Sequence, residues 1–258
     1  ADMAANAAMM ALERSSLKRE DIGMVIAGSS SPDNIAPAES SAVASVLGID
    51  VPCFDMNSAC SSFGMQIHFL SNMNPDALPP YVLVVDSETL TKTVDYSDRA
   101  SAVLFGDGSA AAVVSSKVPS NKIFVSSSYE SRPSAWEKVG INYAWRFAQE
   151  GNAVQGFAIR TTTEGVRQLK QQFAAEAERF IFIGHQANLS MLKTVCERAD
   201  IAPQHHWYGV DQFGNTGCGS APSVLSTRWE DLRKGDCVAM SIVGAGLSWA
   251  HLMLKVEE

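Results

Sequence analysis

The chain has 258 residues, 46% of them apolar, a formal net charge of −8 and five cysteines. That length buries a large core, as one big domain or two fused halves; no uncharged apolar run reaches the ~18 residues of a membrane span, and the acidic balance disfavours nonspecific nucleic-acid binding. An odd, irregularly spaced cysteine set without CxxC or HExxH argues for reduced thiols in a cytoplasmic protein and against a metal site, and no charged-then-apolar leader precedes Ala1.

Helix and strand patterns alternate along the chain, as in an α/β protein. An Ala- and Met-rich helix is expected over residues 2–14, then a buried strand over 22–27 broken by Ser29-Ser30-Ser31-Pro32-Asp33. A helix over 38–47, a short strand over 51–54 and a helix over 63–70 follow. Next come a strand over 81–85 and the run 110–115 behind Phe105-Gly106-Asp107-Gly108. Residues 118–156 read as irregular, with Ser126-Ser127-Ser128 and the aromatics Trp136, Tyr143 and Trp145. They are expected to form a surface excursion around a small aromatic cluster, or else a flap lining a substrate channel.

The order then repeats. Helix 164–177, strand 180–183 and helix 189–198 precede a turn at Asn215 with its helix over 222–232. Strand 237–243 and a closing segment over 249–256 complete the chain. Strand 180–183 matches 22–27, the Asn215 turn matches the turn at Cys60, and 237–243 matches 81–85. This points to an internal duplication with halves at 1–117 and 118–258. In such a fold the functional loops meet where the halves join, at the C-terminal ends of strands.

Cys60 stands in Asp55-Met56-Asn57-Ser58-Ala59-Cys60-Ser61-Ser62-Phe63-Gly64, where a strand end enters a turn of small residues and a helix starts at once. A cysteine at a helix N-terminus is expected to gain thiolate character from unpaired N–H groups and the helix dipole. A lone buried cysteine is otherwise inert packing. His185 follows the apolar run Phe180-Ile181-Phe182-Ile183-Gly184 and precedes Gln186-Ala187-Asn188. Asn215 lies in Asp211-Gln212-Phe213-Gly214-Asn215-Thr216-Gly217-Cys218-Gly219-Ser220-Ala221-Pro222. Taken singly, His185 reads as a helix cap and Asn215 as a turn former. Together, Cys, His and Asn in three loops of one kind read as a nucleophile with two handlers of proton and oxyanion.

These strings, with Asp98-Arg99-Ala100, Leu104-Phe105-Gly106-Asp107-Gly108 and the closing Gly244-Ala245-Gly246-Leu247-Ser248-Trp249, resemble the 3-oxoacyl-acyl-carrier-protein synthase III group of the thiolase superfamily. The resemblance runs from Asp2 to the end. It implies a duplicated thiolase-like fold layered α-β-α-β-α, and an opening strand with loops ahead of Asp2 that this sequence does not contain. It further implies a homodimer without bound cofactor, acting on acyl-CoA or acyl carrier protein thioesters. Cys60 would carry the acyl group. His185 and Asn215 would hold the thioester oxygen of a malonyl-type donor as decarboxylation generates an enolate. The N–H groups of Cys60 and Gly246 would form a second oxyanion hole, glycine suiting a close backbone approach.

Three positions depart from the family pattern. Ser190 stands where many relatives place an arginine for docking the acidic carrier, so carrier recognition is expected to be weaker or relocated. Leu247 replaces an aromatic that shields the site from water. Ala36, in Pro32-Asp33-Asn34-Ile35-Ala36-Pro37, replaces a bulky residue that reaches into the partner subunit's acyl pocket, which leaves room for a longer or bulkier acyl chain. Relatives that join two acyl chains head to head carry a glutamate there, and Ala36 argues against that reaction. The remaining candidates read as structural: His68 on the Cys60 helix, His205 and His206 at the surface, Cys218 as small-residue packing, and Glu88 as support for the Cys60 loop. The sequence thus predicts a condensing acyltransferase of a specialised or secondary-metabolic kind. An acyltransferase that moves the Cys60 acyl group to an alcohol or amine, and a silent subunit of a heteromeric complex, stand as alternatives.

Overall fold

The computed structural model describes residues 1–99 and 101–257. Ala100 of the Asp98-Arg99-Ala100 string lies outside the described residues. Two four-stranded sheets organise the chain. The first, in the order β2-β1-β3-β4, is built from β1 (Met24–Gly28), β2 (Cys53–Asp55), β3 (Val82–Thr89) and β4 (Asp107–Val114). β1 pairs parallel with both β2 and β3, and β4 is antiparallel to β3. The second, in the order β5-β10-β9-β8, is built from β5 (Lys122–Ser131), β8 (Arg179–Gly184), β9 (Asp236–Gly244) and β10 (Ser248–Val256). β8 and β9 are parallel, and β10 is antiparallel to β9 and β5. The β1-β3-β4 and β8-β9-β10 units are therefore built alike.

Near-continuous apolar strands follow from burial on both faces. On β3, Val82 and Val84 face the central core while Leu83 and Val85 face the outer one. β8 does the same with Ile181 and Ile183 against Phe180 and Phe182. Helices α1 (Asp2–Ser15) and α2 (Glu39–Leu47) cover the first sheet's outer face through Ala4, Ala8, Leu12, Val43 and Leu47. Helices α4 (Gly151–Phe173) and α5 (Leu189–Ala199) cover the second through Val166, Leu169, Leu192 and Val195. Between the sheets lie α3 (Ser62–Asn72) and α7 (Ser220–Thr227), contributing Phe63, Ile67, Ala221 and Leu225 to a core shared by both halves. The layers run α-β-α-β-α, the expected thiolase-like arrangement.

The stretch expected to be irregular is ordered instead. Residues 122–131 form β5, in which Ser128, Ser127 and Ser126 pair with His251, Leu252 and Met253 of β10. A hairpin of β6 (Val139–Ile141) and β7 (Phe147–Gln149) follows, and α4 begins at Gly151, well before residue 164. Serines are tolerated in β5 because its partner strand supplies the hydrogen bonds and α3 packs beside it, with His68 Nδ1 3.0 Å from Ser127 Oγ. The aromatic cluster does not form: Trp136 and Tyr143 are 67% and 96% exposed. Phe147 instead packs edge-on against Phe105 at 4.6 Å. A small helix α6 (Val210–Phe213) leads into the Asn215 turn.

β5 covers the outer edge of β10, and no strand among the described residues does so for β4. A cavity of about 1200 Å³ runs along that edge between α1, β4 and α7. Cys60, His185 and Asn215 do not line it. Among the described residues no helix is long and apolar enough to cross a membrane.

Candidate active site

Cys60 sits two residues ahead of α3, between β2 and the helix. The turn is closed locally. Asn57 Oδ1 accepts from the Ala59 N–H at 2.9 Å, while Ser62 Oγ accepts from the Ser58 N–H and donates to the Ala59 carbonyl at 2.8 and 2.6 Å. Ala59 takes φ +48°, in the left-handed region that costs a non-glycine residue about 1 kcal/mol. The helix-terminus expectation for the thiol is corrected here. Burial, with the Glu88 carboxylate second, pushes the Cys60 thiol up to about 12, and its own backbone N–H lowers it less than these raise it. Cys60 keeps partial surface exposure as a residue, but removal of the sulfur from water outweighs the dipole.

His185 directly follows β8 and is 5% exposed. Burial lowers the imidazole to about 4, so it is neutral at pH 7 with one ring hydrogen to donate. Its string divides the labour. Gln186 donates to the Gly184 carbonyl and accepts the Gly209 and Val210 N–H groups, locking strand to loop. Asn188 Oδ1 accepts the Met191 N–H at 2.7 Å as the N-cap of α5, a contact worth about 1 kcal/mol.

Asn215 is fixed by both halves of the chain. Its N–H donates to the Leu104 carbonyl at 2.8 Å and its carbonyl accepts from Gly106 at 3.1 Å. The Phe-Gly-Asp-Gly string is therefore a cradle: a Cβ at Gly106 would meet the Phe213 carbonyl at 2.1 Å, and one at Gly108 would meet Thr216 at 3.0 Å. Asn215 Oδ1 accepts the Gly217 N–H at 3.0 Å. The amide is thereby oriented, leaving Nδ2 as donor with no partner among the described residues.

Glu88, at the end of β3, binds these loops together. Its buried carboxylate accepts from the Ser30 N–H, from Ser31 Oγ at 2.5 Å and from Cys218 Sγ at 3.3 Å. Burial raises its pKa above the usual carboxylate range. It is within electrostatic reach of Cys60 on one side and holds the Asn215 turn on the other. Ser220 Oγ donates to the Gly217 carbonyl at 2.7 Å and lies 3.5 Å from His185 Nδ1, joining that turn to the imidazole. The loops of Cys60, His185 and Asn215 thus converge on Glu88, Cys218 and Ser220.

Gly246 lies in the β9–β10 turn at φ +127°, a conformation glycine adopts without strain, and no backbone acceptor among the described residues takes its N–H. Leu247 is buried, its carbonyl accepting from Arg132 at 2.7 Å. Ala36 stays apart from the cluster, exposed on loop 33–37. Cys218 is buried, its Sγ donating to the Gly28 carbonyl and to Glu88, and His68 stands against Ser127 of β5. His206 is not a surface residue: it is 7% exposed and stacks on Phe182 at 5.6 Å, because the segment 206–207 lies along β8. Sequence reasoning missed Ser58, Ser61, Tyr129 and Ser248, four hydroxyls around the Cys60 turn, since only their separation in sequence was visible.

Two models of 3-oxoacyl-acyl-carrier-protein (ACP) synthase III match the chain, the main one over residues 54–133 and the C-terminal one over 174–256. A β-ketoacyl-acyl-carrier-protein synthase III of Campylobacter jejuni is 30% identical, covering 98% of this chain and 82% of the relative. The synthase III structures of Thermus thermophilus and Aquifex aeolicus superpose with a TM-score of 0.88 each, at 28% and 26% identity, covering 98% of this chain and 83% of theirs. The layered fold, the converging Cys, His and Asn loops and these likenesses place the chain in the 3-oxoacyl-acyl-carrier-protein synthase III family of condensing acyltransferases.

Proposed function

We propose that the chain condenses acyl thioesters by way of a Cys60-bound acyl group, with decarboxylative, Claisen-type carbon–carbon bond formation. The observation that carries this reading is a pair of donors that stay neutral at physiological pH: the buried His185 imidazole and the Asn215 amide, its oxygen already committed to Gly217. In the first half-reaction Cys60 Sγ bonds to the thioester carbonyl carbon and the donor's C–S bond breaks. The departing thiol takes the proton that Cys60 loses. With the thiol at about 12, thiolate is scarce at neutral pH, and proton loss accompanies attack rather than preceding it. The Cys60 and Gly246 N–H groups receive the oxyanion.

In the second half-reaction a malonyl-type donor loses carbon dioxide, and His185 and Asn215 hold the enolate oxygen. Each such donor contributes on the order of 3 kcal/mol. The enolate carbon bonds to the acyl carbonyl, the Cys60 S–C bond breaks, and the sulfur is reprotonated.

The acyl donor is acyl-CoA or an acyl carrier protein, with no bound cofactor. Ser190, exposed in the first turn of α5, and the net charge of −8 favour a weakened or relocated carrier-docking face. With Ala36 and Leu247, this supports a specialised rather than a housekeeping pathway. The molecule works as a cytoplasmic homodimer. Its first sheet ends on β2, whose Phe54 is 41% exposed, Val46 of α2 and Ile35 of loop 33–37 are 52% and 80% exposed, and all five cysteines are unpaired. The test is intact-mass spectrometry with a panel of acyl thioesters, peptide mapping of the adduct, and malonyl-dependent release of carbon dioxide. An acyl group on Cys60 with carbon dioxide release supports the proposal. Acylation with transfer to an alcohol or amine instead would make the chain a simple acyltransferase, and no adduct on Cys60 would refute the reading.

A further inference from the structure

Four hydroxyls from three distant parts of the chain meet behind the Cys60 turn. Tyr129 of β5 places its hydroxyl 2.7 Å from Ser58 Oγ. Ser58 Oγ donates to Ser248 Oγ at 3.0 Å, and Ser248 Oγ donates to the Ala245 carbonyl at 2.9 Å. One hydrogen per hydroxyl allows this directed run from Tyr129 through Ser58 and Ser248 to Ala245. Ser61 closes the cluster, its Oγ 2.8 Å from both the Ser58 carbonyl and Ser248 Oγ. Ser61 and Ser248 are buried, where an unpaired hydroxyl is costly, so the set holds together as a unit.

What the run connects gives it a purpose. Ser58 and Ser61 flank Cys60, and Ala245 and Ser248 flank Gly246. The two turns also meet through their backbones, since a Cβ at Gly244 would lie 2.8 Å from the Ser58 carbonyl and from the Ser61 nitrogen. The Cys60 turn has a reason to need an outside anchor, because Ala59 is held in the left-handed region without being glycine.

We propose that Tyr129, Ser58 and Ser248 are positioning residues that set the spacing between the Cys60 and Gly246 N–H groups, and so preorganise the oxyanion hole used when Cys60 is acylated. This rests on the acylation of Cys60 proposed above. Tyr129→Phe removes the outer hydroxyl from a half-buried ring, and Ser248→Ala removes the central one. The experiment compares two reactions at the same sulfur. Acylation by an acyl thioester builds an oxyanion; alkylation by iodoacetamide displaces iodide and builds none.

Both variants are expected to slow acylation about tenfold or more in kcat, with KM, the alkylation rate and the melting temperature unchanged, and Ser248→Thr is expected to restore the rate. Equal slowing of both reactions would show that the hydroxyls act on the thiol or the fold, and would overturn the proposal. Unchanged acylation in Tyr129→Phe and Ser248→Ala would overturn it as well. Should Ser248→Ala not fold, Tyr129→Phe decides alone. Wild-type protein that no thioester acylates would instead bring down the reading of Cys60 itself, an outcome distinct from wild-type acylation that the variants leave untouched.

Discussion

Gly217→Ala tests whether the Asn215 turn is held in place by Glu88. Gly217 adopts φ +57°, and an added Cβ would lie 2.6 Å from Glu88 Cγ and 2.9 Å from its Oε1. Left-handed backbone costs alanine about 1 kcal/mol. Forcing a methyl against a carboxylate already engaged by Ser30, Ser31 and Cys218 adds about 1–3 kcal/mol, because the buried side chain has no free rotamer to retreat to. The sum is about 2–4 kcal/mol, which for a chain of this size lowers the melting temperature by about 5–15 °C. The functional effect should be lopsided. Gly217 supplies the N–H that orients the Asn215 amide, whereas Cys60 sits on a separate turn anchored to β9 and β10. Condensation is expected to fall about a hundredfold, with acylation of Cys60 within a few-fold of wild type. Differential scanning calorimetry and single-turnover mass spectrometry read the two effects. A melting temperature within about 2 °C of wild type together with undiminished condensation would refute the packing argument.

His185→Ala and Asn215→Ala should each leave acylation largely intact and reduce condensation about a hundredfold or more, measured as malonyl-dependent carbon dioxide release; lost acylation with spared decarboxylation would contradict the two-hole scheme. Stability should fall as pH drops from 6.5 towards 4. His185, His206 and His251 are each lowered from 6.5 to about 4 by burial, so the unfolded chain binds protons in that window and the folded one does not. At pH 5 each histidine costs about 2 kcal/mol, partly offset by the buried Asp86 and Glu88 carboxyls, whose raised pKa values favour the folded state as pH falls; imidazole NMR resonances of these three rings that titrate near 6.5 would show that they are not buried neutral. Alkylation of Cys60 should still be climbing about tenfold per pH unit at pH 9, since burial puts the thiol at about 12; a plateau below pH 8 would mean that the helix terminus wins after all. Ala36→Phe should shorten the accepted acyl chain while sparing acetyl, read as relative acylation rates of Cys60, and an unchanged profile would remove Ala36 from the pocket of the partner subunit.

Local chemistry was legible from the sequence. Two-faced apolar runs specified β1, β3, β8 and β9, and the repeated order of helix and strand agrees with the like pairing of the β1-β3-β4 and β8-β9-β10 units, because backbone propensity and burial period act over neighbouring residues. Small residues at 57–64 and 214–220 and the polar cluster at 184–188 marked the loops now seen to converge. Asn188 and Gly106 were visible as parts of motifs, although their work, a helix cap and a cradle for Asn215, appeared only with their partners.

Tertiary structure decided everything that depends on distant segments. β5 is a strand because β10 accepts its ladder, and serines at 126–128 give no local sign of that. The same burial that builds the core overrides the helix terminus at Cys60 and keeps His185 neutral, since desolvation depends on what surrounds a group rather than on its position along the chain. The hydroxyl run from Tyr129 through Ser58 to Ser248 joins residues 71 and 190 positions apart. Sequence alone determined which turns carry Cys60, His185 and Asn215; only the packing of two sheets around a shared core determined their spacing and ionisation, because those properties belong to the enclosure and not to any one segment of chain.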